Sequence, residues 1–145
     1  MSAAFPLQAP EHCFAWPVRV YWEDTDAGGI VFYANYLKFF ERSRTEWLRA
    51  KGISQQHLRD TVGGMFVVSD AQVRFLKSAK LDDELLVTTS LKEPGRASMT
   101  IHQEARLVGK ISTALLCEAT IRASWVDALT LKPARIPPQI LHALT

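Results

Sequence analysis

From Ile111 to Trp125 the odd positions read Ile, Thr, Leu, Cys, Ala, Ile, Ala, Trp, while Ser112, Glu118, Thr120, Arg122 and Ser124 fall on even ones. A period of two puts each set on one face of a strand. Ala97 to Leu107 repeats the pattern, with Met99, Ile101, Ala105 and Leu107 against Ser98, Thr100, His102, Glu104 and Arg106. Gly109-Lys110 between them reads as a tight hairpin turn. "EPGR" at Glu93 to Arg96 is a second turn signal, closing a strand from Leu85 to Leu91. Met65 to Phe75 alternates again, and "SAKLDDE" connects it to the Leu85 strand. A first strand is expected over Val18 to Trp22.

One segment has helical rather than strand periodicity. Tyr36, Phe39, Phe40, Ser43 and Trp47 recur at three- and four-residue spacing and form one broad stripe. Asn35 is the expected N-cap and Gly52 the expected stop. Arg42 is placed to pair with Glu46 one turn on, and a shorter helical turn is expected over Ser54 to Asp60. The predicted order is strand, helix, then four antiparallel strands, an α+β arrangement.

The strand ending at Trp125 would reach ~45 Å if straight, at roughly 3.3 Å per residue. A sheet of that length must curl, and the aromatic helix is the object for it to curl around. The opposite face, carrying Thr88, Ser90, Arg106, Glu118 and Arg122, is expected to meet solvent. A single sheet also leaves long edges, which oligomerisation would cover.

The chain of 145 residues suits one domain, with a flexible N-terminus over residues 1–15 and a C-terminal tail over 127–145. A net charge of +2 is too small for a nucleic-acid partner. No apolar run approaches the ~18 residues of a membrane span, and no export signal is evident. Cys13 and Cys117 stand far apart without metal spacing, which points to reduced thiols and the cytoplasm.

Candidate chemistry concentrates in "EDTDAGG", residues 23–29. As a calcium loop it fails, because the position needing a bidentate Glu is Asn35 and no helix precedes it. There is no phosphate loop of the GxxxxGK[ST] type and no GxSxG elbow, and the four histidines are scattered. Two readings stand on the residues alone. The stretch is a capped, solvated turn, or it holds Asp26 against a carbonyl whose oxygen meets the free N–H groups of the following helix start. In the second reading Asp26 attacks that carbonyl or activates a water against it.

The segment "WPVRVYWEDTDAGGIVFYANYLKFFERSRTEWL" strongly resembles hotdog-fold acyl-CoA thioesterases of the 4-hydroxybenzoyl-CoA thioesterase type, and within them the Tol–Pal-associated, YbgC-like branch. The likeness continues through "GISQQHLR" to "VDALTLKPARIP" and so spans nearly the whole chain. It implies a curved antiparallel sheet wrapped around one long helix, and hydrolysis of an acyl-CoA or acyl-carrier-protein thioester by a homodimer or homotetramer. It implies Asp26 as nucleophile or general base and the Tyr33 backbone amide as oxyanion donor. Gly28 and Gly29 would keep the approach open, and Trp22, Arg74 and Lys77 would contact substrate. No metal or other cofactor is implied.

Two positions depart from the YbgC-like pattern. Tyr33 stands where that branch commonly has His, and Trp22 where it commonly has Tyr. The replaced His leaves an alternative, a weakly catalytic module that binds acyl carrier protein or phospholipid-synthesis enzymes. A different hotdog branch carries its carboxylate on the central helix, where Glu41 is the backup candidate.

Overall fold

In the computed structural model, which describes residues 13–145, the stripe of Tyr36, Phe39, Phe40, Ser43 and Trp47 is the buried face of a helix, α1, Asn35–Ala50. Ser43, its polar member, bonds the Val87 carbonyl at 3.0 Å and Thr89 Oγ1 at 2.7 Å. Those partners remove the penalty of about 1–3 kcal/mol for an unpaired buried hydroxyl. Gly52 stops the helix as its position predicts. It adopts φ +79°, and the Ile53 N–H returns to the Leu48 carbonyl at 2.9 Å.

The start of α1 differs from expectation. The cap is Ala34, which makes no side-chain bond, and Asn35 is the first helical residue. Asn35 is buried and turns its amide to the Asp24 carboxylate, a charge-assisted bond stronger than a neutral cap. Arg42 lies over the Phe39 ring at 5.8 Å, and Glu46 pairs with Arg49 at 3.4 Å instead. Beyond α1 comes a short helix, α2, Gln55–His57, which continues as a π turn over Leu58–Val62.

Five strands form one antiparallel sheet: β1 (Phe14–Arg19), β2 (Gly64–Phe75), β3 (Glu84–Pro94), β4 (Ser98–Val108) and β5 (Thr113–Asp127). Their order across the sheet is β1-β3-β4-β5-β2. β1 lies earlier than the expected Val18 to Trp22, because its partner is the Glu84 to Thr89 stretch of β3. Phe14 and Ala15 are therefore strand, while residues 1–12 of the segment expected to be flexible lie outside the described residues. Trp22 falls in a 3-10 turn, Trp22–Asp24.

The expected curl is accompanied by register shifts at Ser69, Lys92 and Leu116, where an extra residue bends its strand. The last also breaks the predicted alternation of β5. Odd positions from Cys117 to Trp125 are buried, but Leu116 is buried too, and Ile111 sits 88% exposed in the hairpin turn. Thr88, expected on the solvent side, is buried, and its Oγ1 accepts from the Glu104 N–H at 3.1 Å.

The C-terminal tail is part of the core. Pro133 bridges Val126, the Ile136 N–H reaches the Arg96 carbonyl at 2.7 Å, and a third helix, α3, Pro138–Leu144, buries Ile140 and Leu144. Pro138 occupies the first helical position, where a missing N–H costs nothing. No helix among the described residues is long and apolar enough to cross a membrane.

Candidate active site

The acidic turn separates its carboxylates. Asp24 is buried, with Oδ2 accepting from the Tyr21 N–H at 2.8 Å and Oδ1 from the Asn35 amide at 2.7 Å. Its backbone carbonyl also accepts from the Phe32 N–H at 2.9 Å. Asp24 thus fastens the exit of β1 to the start of α1.

Asp26 faces outward. Its N–H donates to the Ile30 carbonyl at 2.9 Å and its carbonyl accepts from Gly29 at 3.0 Å, closing a tight turn. Gly29 has φ +79°, a region in which L side chains are strained. The Gly28 N–H donates to Asp26 Oδ1 at 2.8 Å, which fixes the carboxylate's direction. A Cβ at Gly28 would lie 3.1 Å from that same oxygen. One glycine therefore shapes the turn and the other leaves the carboxylate its place.

Backbone pairing brings a distant loop to this turn. The Val31 N–H donates to the Ala79 carbonyl at 2.9 Å, and Ile30 bridges Lys80. The result is a cleft of about 330 Å³ lined by Asp26, Tyr33, Tyr36, Phe75, Lys77 and Ser78, among others. The Phe75 ring stacks edge-on with Tyr33 at 5.8 Å and tilts against Tyr36 at 5.9 Å. Tyr36 Oη accepts from the Ala79 N–H at 3.2 Å. Burial raises the Tyr36 phenol above its ordinary range, against the opposing effect of that bond, so it stays neutral. The Tyr33 side chain is 64% exposed. Its backbone N–H donates to nothing among the described residues and stands just ahead of α1.

Of the residues expected from sequence, Asp26, Tyr33 and Lys77 share this cleft, and Gly28 and Gly29 build its turn. Trp22 is 80% exposed outside the cleft, where its carbonyl accepts from the Thr25 N–H and hydroxyl. Arg74 points elsewhere: it pairs with Glu118 at 3.6 Å and lines a separate recess with His102. Adjacent residues of β2 face opposite sides, so Phe75 reaches the cleft and Arg74 does not. Glu41 lies two turns along α1, accepts from Thr45 Oγ1 at 2.9 Å and lines a different cleft.

Sequence reading missed Tyr36, Phe75 and Ser78. Tyr36 was legible only as part of the helix stripe, and Phe75 as a core position. Nothing local signals that the loop after β2 crosses to the acidic turn. On the far sheet face His102, Glu104 and Glu118 offer ligand atoms within 4.8 Å of one another. Arg106 already holds Glu104 at 2.8 Å and Arg74 holds Glu118, so the acids there are neutralised without a metal.

Residues 20–144 match the thioesterase-like superfamily. The chain belongs to this superfamily. The YbgC acyl-CoA thioesterase of Haemophilus influenzae is 44% identical over 130 residues, covering 90% of this chain and 93% of that one. A probable thioesterase from Bartonella henselae has a TM-score of 0.79 at 31% identity, over 86% of this chain and 99% of that chain. A 4-hydroxybenzoyl CoA thioesterase mutant complexed with 4-hydroxybenzoyl CoA reaches a TM-score of 0.86 at 18% identity, over 92% and 99%. That last likeness concerns the fold, and it makes this thioesterase-like chain a hotdog, with the sheet curved about α1 as expected.

Proposed function

We propose that this chain hydrolyses acyl-CoA thioesters, releasing a free acid and CoA. The observation that carries the reading is one cleft lined by both Asp26 and Tyr33, whose N–H just ahead of α1 has no partner among the described residues. The relatives named for acyl-CoA thioester hydrolysis support the substrate class. The thioester carbonyl docks with its oxygen toward the Tyr33 N–H, where a preorganised donor stabilises developing negative charge. Asp26 then works in one of two ways. As nucleophile it forms a mixed anhydride, CoA leaves as thiolate and takes up a proton from solvent, and water cleaves the anhydride. As general base it takes a proton from water, hydroxide adds to the carbonyl, and the departing thiolate recovers the proton.

Lys77 contributes a positive charge at the cleft for the phosphates of the carrier. We assign the protein to homodimers or homotetramers in the cytoplasm, associated with the Tol–Pal system as the YbgC-like resemblance implies. Exposed Phe75 and Leu76 at the end of β2, an edge strand of the sheet, support a second copy there. The free Cys13 and Cys117 accord with a reducing compartment.

The test is turnover by purified protein of short, long and aromatic acyl-CoAs alongside an acyl-acyl-carrier-protein. Release of CoA from at least one acyl class is expected. Absence of turnover across the panel would overturn the reading.

A further inference from the structure

Of the residues that line the Asp26 cleft, Val31 and Tyr36 are buried, and of these two only Tyr36 carries a polar side-chain group. Its Oη accepts the Ala79 N–H at 3.2 Å, so the hydroxyl lies against the peptide that follows Ser78, another lining residue. That bond uses the oxygen as an acceptor. A phenol also has a proton to donate, and no group among the described residues accepts it. Asp26 is not its partner: the one bond to that carboxylate among the described residues comes from the Gly28 N–H at 2.8 Å. We propose that the Tyr36 hydroxyl is a second oxyanion donor, which donates to the thioester carbonyl oxygen alongside the Tyr33 N–H. The inference deepens the hydrolase reading and rests on it.

Two relationships bring the donors together. Tyr33 and Tyr36 are three residues apart at the entry to α1, the spacing that brings positions onto one side of a helix. Both rings also contact Phe75, Tyr33 at 5.8 Å and Tyr36 at 5.9 Å, so the two residues border one side chain in one cleft.

The hydroxyl is held for this task. Its ring packs edge-on against Phe39 at 6.0 Å, and the Ala79 N–H fixes the oxygen. Burial keeps the phenol neutral, so its proton is present near pH 7. The carbonyl oxygen gains charge as Asp26 or a water attacks, and a fixed donor therefore stabilises the transition state more than the bound ester. No bond is made or broken at Tyr36, and the proton stays on Oη throughout.

Steady-state kinetics of Tyr36→Phe is the first test, with the acyl-CoA that the unaltered chain turns over fastest. The variant keeps the ring and loses the hydroxyl. Its kcat should fall about a hundredfold, the scale of one lost oxyanion donor, with KM changed by less than about twofold. Because the Ala79 N–H loses its acceptor too, the deciding reading is this split, which loosened packing would not confine to kcat.

A second measurement leaves Tyr36 in place and stands even if Tyr36→Phe fails to fold. Asp26→Asn protein is labelled with carbon-13 at the tyrosine Cζ and followed by NMR, the Tyr36 signal being assigned by elimination through Tyr21→Phe and Tyr33→Phe. That signal should move on saturation with the same acyl-CoA and stay in place with CoA alone, which has no carbonyl to accept the bond. Unchanged kcat in Tyr36→Phe, a loss confined to KM, or a Tyr36 signal indifferent to the acyl group would each overturn the assignment and leave the hydrolase reading intact. Absence of turnover by the unaltered chain would overturn the hydrolase reading, and the assignment with it.

Discussion

The Asn35 amide donates to Asp24 Oδ1 at 2.7 Å, tying the first residue of α1 to the acidic turn and leaving Asp26, two positions on, free to face the cleft. One short sequence thus contains a buried, fully bonded carboxylate and an exposed one beside the cleft. The buried one sets where the helix start lies relative to the other.

Asp24→Ala removes the acceptor for two donors, the Tyr21 N–H and the buried Asn35 amide. A loss of about 2–3 kcal/mol is expected, the scale of leaving such groups unpaired. Urea unfolding measures it, and an unchanged midpoint would mean that Asp24 does not hold the turn.

Asp26→Asn keeps the size and the Gly28 bond but removes the charge. With Asp26 as base or nucleophile, kcat should fall roughly a hundredfold or more, with an unchanged unfolding midpoint because the side chain is exposed. Glu41→Gln should retain activity. The reverse result would move the reacting carboxylate onto α1.

Gly28→Ala is a geometric test of the same group. The new methyl would lie 3.1 Å from Asp26 Oδ1, so the carboxylate must turn aside. A fall in kcat of about tenfold is expected, since small displacements of a reacting group are costly. Comparable kcat in the variant would show that Asp26 tolerates reorientation.

Lys77 and Arg74 separate by position. Lys77→Ala should raise KM for CoA esters with little change in kcat, because Lys77 lines the Asp26 cleft. Arg74→Ala, whose partner is Glu118 at the other recess, should leave KM unchanged. Steady-state kinetics on both variants distinguishes them.

Cys117 is fully buried, and burial pushes its thiol up to about 12. Raised above its unfolded value, the thiol's contribution to stability is intact at neutral pH and is lost as pH climbs toward about 12. Cys117→Ala should flatten that alkaline loss in unfolding measured across pH. At pH 8 a thiol reagent should spare Cys117 in the folded protein and reach it after denaturation.

Periodicity alone placed α1, its buried stripe and the strands from Met65 onward, because each such element must bury one face and the spacing of apolar residues says which. It misplaced β1, whose bounds depend on pairing with Glu84 to Thr89. It also missed α3, which is too short to show a period and is held by the core rather than by its own propensity.

The site divided along the same line. Local chemistry was enough to single out an acidic glycine turn before a helix start, since turn residues and orphan N–H groups are properties of consecutive positions. Which aspartate would be buried, and which face of β2 would carry Phe75 toward the cleft and Arg74 away, were settled only by tertiary contacts. Those contacts join residues far apart in the chain, and their energies depend on distance and burial, which no stretch of sequence contains.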